Sequence, residues 1–201
     1  MMQTLENKSK PKLTTRNITS LAIMAALSIV LVYMVRIPMF LPFLEYDPAD
    51  IPIFITAFAF GPVAGLILTV IVSVLQGLTV SASSGIIGIV MHILATGSFV
   101  LVAGNIYRRS KTRKNAIVAL ITGVGVWTVM MILWNIIITP IFMNVPREQV
   151  LTLIVPAILP FNLVKAGINA TITFVLYKSV GKLFCVPETP AVKNKRCTRE
   201  A

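Results

Sequence analysis

Charged residues are absent from long stretches of this chain, and those stretches define its elements. No Asp, Glu, Lys or Arg occurs from Asn17 to Val35, from Ile51 to Tyr107, or from Asn115 to Pro146. Between Gln149 and Tyr177 there is one charge, Lys165. A helix that crosses a bilayer needs about 20 consecutive apolar residues, so each block is a membrane segment. The long run from Ile51 to Tyr107 has room for two helices or three. Gly61-Pro62 marks one break in it, and the polar stretch Thr79 to Gly85 marks another.

Orientation decides the count. With two helices in that run, the basic loop Arg108 to Lys114 would lie opposite the basic N-terminus, against the positive-inside bias. Three helices return it to the same side. The expected fold is therefore all-α, an integral membrane protein of six transmembrane helices with both termini cytoplasmic. The expected helices run over 18–35, 49–60, 62–80, 85–107, 116–142 and 150–183. The second is short for a span, which predicts tilting or an interfacial position. The chain divides into a basic N-terminal segment (1–16), a six-helix membrane domain (17–183) with an outer loop at 36–50, and a polar, basic tail (184–201). Counted this way, Arg36 and Arg147 are the only Lys or Arg outside, and Lys165 lies in the membrane.

Composition agrees with the pattern. Of 201 residues 56% are hydrophobic and 12% charged, and the mean hydropathy is +0.87, more apolar surface than one soluble core of this size hides. The net charge of +11 does not indicate nucleic acid. The basic residues cluster at Lys8 to Arg16, Arg108 to Lys114 and from Lys178 onward, flanking apolar blocks as membrane topology and anionic lipid require. The first apolar block is too long for a cleavable signal, and no A-x-A-like site follows it. Cys185 and Cys197 offer neither a disulfide framework nor a metal site.

Polar residues inside the spans carry the functional information, because each costs free energy unless it is paired. Lys165 lies about 20 Å of helix from Lys178 at the inner end, which puts it in the outer half of the membrane. Asn162, Lys165 and Asn169 are spaced i, i+3, i+7 on one helix face. A lysine can snorkel to an interface, but two amides on the same face fit a polar wall inside the bundle. Pro156 and Pro160 should kink that helix on its outer side. Asn135, Gln76 and His92 fall at similar depth on three other helices. Each alone is consistent with an interhelical hydrogen bond; their convergence points to a small-molecule site. The outer loop, Arg36 to Asp50, is aromatic yet holds three of the seven acids, which fits a lid over such a site or an interfacial loop. Asp50, just before Ile51-Pro52, reads as the cap of the second helix.

Catalytic sets are missing. There is one histidine, no Cys/His pair at metal spacing, no phosphate-binding loop and no acidic pair within the expected spans. The expectation is a binding protein, not an enzyme, that takes its energy from a partner.

The strings Tyr46-Asp47-Pro48-Ala49-Asp50-Ile51-Pro52, Phe60-Gly61-Pro62-Val63-Ala64-Gly65 and Asn162-Leu163-Val164-Lys165 resemble the riboflavin-binding S components of energy-coupling-factor (ECF) vitamin transporters. The resemblance spans roughly residues 15–183. It implies a bacterial cell-membrane protein that captures flavin from outside and works with a transmembrane T subunit (EcfT) and two ATPase subunits (EcfA type). It implies that Ala22 and Ala26, in Ala22-Ile23-Met24-Ala25-Ala26, pack on the T subunit, as small residues four apart allow. It also implies that Asn135, Asn162 and Lys165 are polar ligands of riboflavin, carried as transported ligand and not as cofactor, with FMN a further candidate. Phe43, Leu44 and Tyr46 are candidates for the slot around the flat ring, Asp47 for a ribityl hydroxyl, and Gln76, His92 and Asn169 for further contacts. Pro48 departs from the family pattern and stiffens the lid. The alternatives are an S component for a different vitamin or precursor, or a self-sufficient small secondary carrier.

Overall fold

In hydrocarbon every backbone polar group must be satisfied within the protein, which an α-helix does by itself, and these uncharged runs fold accordingly. The computed structural model describes residues 15–184, with side chains except those of Arg16, Pro42, Phe43, Ser83 and residues 181–184. The residues before 15, both cysteines and the C-terminal tail lie outside the described residues. Helix α1 is Thr15–Met34, α2 Asp50–Phe60, α3 Pro62–Leu78, α4 Gly85–Arg109, α5 Arg113–Met143, α6 Arg147–Leu153 and α7 Leu159–Phe184. A turn of π-helix, Ile154–Ile158, joins α6 to α7 into one rod. Pro156 and Pro160 explain it, since each removes a backbone donor and crowds the preceding turn. α1, α4, α5 and the α6–α7 rod are each long and apolar enough to cross a membrane, while α2 and α3 are shorter.

The short second helix is buried inside the bundle. Every residue from Asp50 to Phe58 is buried, because α2 packs against α1, α3, α4 and α7 at once. A helix that is apolar all round belongs inside a bundle, and the 11 residues of α2 are surrounded by other helices of the protein. The turn out of α2 explains the Phe60 to Gly65 string. Gly61 has φ 100°, open to glycine without strain, and Pro62 starts α3 where its missing N–H costs nothing. At Gly65 an added Cβ would stand 2.8 Å from both the Ala57 Cβ and Val100 Cγ1; its hydrogen lets α2, α3 and α4 meet.

The outer loop is not a plain loop but an antiparallel hairpin, β1 (Ile37–Met39) and β2 (Leu41–Tyr46), turned at Phe40 with φ 65°. Two prolines and a short period hid the strands from a sequence reading. Along β2, Leu44 and Tyr46 are buried and Glu45 less so, the alternation a strand produces over a packed surface. Arg36 pins the hairpin: its guanidinium pairs with Glu45 and donates to the Val80 carbonyl at 2.6 Å, tying β2 to the end of α3.

Candidate functional site

Beneath the hairpin lies a cavity of about 180 Å³. Leu44, Glu45 and Asp47 form its lid, Ser73 and Gln76 come from α3, and His92 from α4. α5 contributes Trp127 and Asn135, and α7 contributes Phe161, Asn162 and Lys165. Polar groups thus converge from four helices and the lid on a mostly apolar space, the composition of a small-molecule site.

The hydrogen bonds show which groups are spent and which remain. Asn162 Oδ1 accepts from the Trp127 indole N–H at 3.3 Å, and its amide donates to the Ile158 carbonyl at 2.8 Å. Asn135 donates to the Met131 carbonyl and accepts from Thr139 Oγ1. Each amide keeps a second N–H and a second lone pair. Lys165 Nζ donates to Asp47 Oδ2 at 2.8 Å and lies 3.5 Å from the Glu45 carbonyl. Gln76 Oε1 is buried on the cavity wall with no hydrogen-bond partner. A buried acceptor left unmet is costly, so this atom calls for a donor from whatever fills the cavity.

Trp127 sets the shape of one wall. Its ring meets Phe54 and Phe99 edge-on, with centroids 6.2 and 6.4 Å away, and those two rings stack on each other at 3.7 Å. With its N–H committed to Asn162, the indole is fixed in place and presents an aromatic surface to the cavity.

The acids of the lid region each meet a basic side chain from another element. Glu45 pairs with Arg36, Asp47 with Lys165, and Asp50 with His92 across 3.0 Å. Asp50 does not cap α2, and no side chain caps that helix; Asp47 Oδ1 takes the nearby Ala49 N–H instead, at 3.2 Å. The Asp50 carboxylate turns inward, fully buried, and also accepts from Thr96 at 2.9 Å and from Asn169 at 3.3 Å. Asp47 and Asp50 thus bring buried acids to the interior of the bundle. They enter from the lid and the first turn of α2, outside the uncharged blocks.

The sequence candidates thus separate by position. Leu44, Asp47, Gln76, His92, Asn135, Asn162 and Lys165 line the cavity. Tyr46 and Asn169 stand behind it: the Tyr46 hydroxyl donates to Asn169 Oδ1 at 3.1 Å, and both Asn169 N–H groups go to the Asp47 carbonyl and to Asp50. Burial first, and Asp47 next, push the Tyr46 phenol above its ordinary range, so it stays a donor. The Phe43 side chain lies outside those described. Ala22 and Ala26 are exposed on α1, away from the cavity. Sequence reasoning missed Trp127, Ser73, Glu45 and Asp50. For Trp127 a signal existed: Trp127, Met131, Asn135 and Thr139 stand four apart, on one helix face.

Among known proteins, the family model "ECF transporter, substrate-specific component" matches residues 16–177. The chain is 30% identical over 168 residues to "Riboflavin transporter RibU" of Staphylococcus aureus (strain TCH60), covering 80% of this chain and 87% of the relative. It is 30% identical over 142 residues to "Riboflavin transporter FmnP" of Bacillus subtilis (strain 168), covering 67% and 74%. A solved structure described as "Structure and mechanism of the S component of a bacterial ECF transporter" superposes with a TM-score of 0.70 at 28% identity, covering 84% of this chain and 97% of the other.

Proposed function

The chain belongs to the substrate-specific components of ECF transporters, and on that footing we propose that it binds riboflavin in the cavity under the hairpin and carries it into the cell. The family is a transporter family with no catalytic role for this component, and its members work with an ECF module. For this chain the proposed module is a T subunit and two ATPase subunits. The proposed setting is the bacterial cell membrane, crossed six times with both termini inside.

The observation that carries the reading is the set of unspent polar groups around the cavity. Asn135 and Asn162 each keep a donor and an acceptor, Lys165 keeps a donor, and Gln76 offers a bare carbonyl oxygen. Riboflavin has a flat ring edged with carbonyls and ring nitrogens, one of them an N–H, and a ribityl chain of hydroxyls. The amides and the ammonium match the first set, Gln76 matches an N–H or a hydroxyl, and Trp127 and Phe161 match the ring faces.

The mechanism follows from how the lid is tied down. At about 180 Å³ the cavity is smaller than the roughly 300–1,000 Å³ usual for such sites, so the hairpin must lift to admit a flavin. Lifting it separates Asp47 from Lys165, which frees the ammonium for the ligand. Closure over the bound ring excludes water and slows escape. The loaded protein then docks through the exposed Ala22 and Ala26 face of α1 on the T subunit, where small residues permit close helix contact, and ATP-driven movement releases flavin inside.

The deciding experiment is an absorbance spectrum of the detergent-purified protein before and after adding riboflavin. Flavin bands that survive gel filtration, and that are lost in Lys165→Ala and Asn162→Ala, are expected. A protein that stays colourless and takes up no riboflavin would end the flavin assignment and send the search to other vitamins.

A further inference from the structure

Trp127 and Asn162 meet on the cavity wall, with 2% and 0% of their surface exposed. An asparagine side chain has two orientations half a turn apart, which exchange the places of its oxygen and its nitrogen. Here the neighbours allow only one. The indole N–H can only donate, so the Asn162 atom 3.3 Å from it is the oxygen. The Ile158 carbonyl can only accept, so the atom 2.8 Å from it is the nitrogen. Turned over, the amide would set donor against donor and acceptor against acceptor. Asn135 is held less strictly. It donates to the Met131 carbonyl at 2.7 Å, but its second neighbour is the Thr139 hydroxyl at 2.8 Å, a group able to give or to take a hydrogen.

The indole that locks Asn162 is itself held by the helices and not by the lid. Phe54 of α2 and Phe99 of α4 meet its ring edge-on. Phe99 in turn lies tight on α5 one turn before the indole, where a Cβ added at Gly123 would stand 2.7 Å from its ring. Lifting the hairpin removes none of these contacts.

We propose that Trp127 is a positioning residue: its indole N–H locks the Asn162 amide in one orientation before the ligand arrives. The N–H and lone pair left on Asn162 then meet the ligand already ordered, and a group ordered in advance costs less to bind. Without the indole donor, Asn162 keeps one tether, the Ile158 carbonyl, and its oxygen is free to swing. The inference rests on the flavin-binding reading for its ligand, though not for the lock between the two side chains.

The chain has two tryptophans, Trp127 and Trp134, so Trp134→Phe protein leaves the relevant indole alone. Nitrogen-15 NMR of that indole, in detergent without ligand, reads the lock directly. Its N–H proton signal should move upfield in Asn162→Ala, where the acceptor is gone. Titration with riboflavin, followed by its fluorescence, reads the consequence. Replacing the remaining tryptophan by its benzothiophene analogue puts sulfur where the N–H was, which keeps the ring wall and removes the donor. Riboflavin should then bind roughly three- to tenfold more weakly, the worth of one hydrogen bond. In an Asn162→Ala background, titrated at higher riboflavin, the same replacement should cost nothing further, because no amide is left to hold. An equal loss in both backgrounds would reduce Trp127 to a wall and overturn the proposal. So would unchanged affinity in the benzothiophene protein, or an indole signal that ignores Asn162→Ala. Should wild-type protein bind no riboflavin, the functional reading fails while the indole signal still decides the lock.

Discussion

Lys165 on α7 donates to Asp47 at the foot of the hairpin across 2.8 Å, a contact between residues 118 apart in sequence. It closes the cavity from above and holds Lys165, the one buried lysine among the described residues, against an acid buried beside it. Removing one partner of a buried pair leaves the other charged and unmatched, at a cost of about 3–5 kcal/mol. Lys165→Ala is therefore expected to lower the thermal midpoint and to abolish riboflavin binding. The double variant Lys165→Met with Asp47→Leu should recover the midpoint without recovering binding. Thermal unfolding and a fluorescence titration on the same preparations check both outcomes.

Gln76 separates stability from binding in the opposite sense. Its Oε1 is buried without a partner, so Gln76→Leu should leave the empty protein as stable as before, or more so. The same variant should bind riboflavin about tenfold more weakly, because the donor that Gln76 receives is then stranded. Equal affinity in wild type and variant would remove Gln76 from the site.

FMN tests the charge balance of the cavity. Of the two outer arginines, Arg36 is engaged with Glu45, and Arg147 is exposed at the start of α6, away from the lining. Lys165 faces Asp47. A phosphate placed here meets no uncommitted cation among the described side chains and lies near two acids. FMN should bind at least about tenfold more weakly than riboflavin, one charged contact being worth about that much. Competition against riboflavin at low salt is the measurement, and Glu45→Gln should narrow the gap by releasing Arg36.

Gly65 tests the fold without touching the site. A side chain there meets Ala57 and Val100 at 2.8 Å, and overpacking of this kind costs about 1–3 kcal/mol. Gly65→Val should lower the thermal midpoint while the folded fraction binds riboflavin with unchanged affinity. A loss of affinity larger than the loss of folded protein would mean that α2 and α4 move the cavity when they separate.

Ala22 and Ala26 test the division of labour between binding and transport. Both are exposed on α1 and neither lines the cavity. Ala22→Trp and Ala26→Trp should bind riboflavin normally and fail to take it up in cells that carry the partner subunits. Binding that fell along with uptake would place the fault inside the bundle.

The amino-acid sequence by itself determined the solvent, the breaks and the polar stripe. Uncharged blocks longer than about 20 residues require a membrane, Gly61-Pro62 and the stretch from Thr79 to Gly85 end helices by local backbone chemistry, and the spacing of Asn162, Lys165 and Asn169 puts them on one face whatever surrounds them. Pro156 and Pro160 likewise fixed where the last rod departs from α-helix. All of these depend on neighbours within a few residues. Tertiary structure decided the rest. Whether Asp50 caps α2 or turns inward depends on His92, 42 residues later, and on Asn169, 119 later. The burial of α2 follows from the four helices that surround it, and Trp127 becomes a cavity wall only because Asn162 takes its N–H and Phe54 and Phe99 brace its ring. Helical period assigns each side chain to a face. Which faces meet is settled by packing and by the need of every buried charge for a partner, and that pairing has no local trace in the chain.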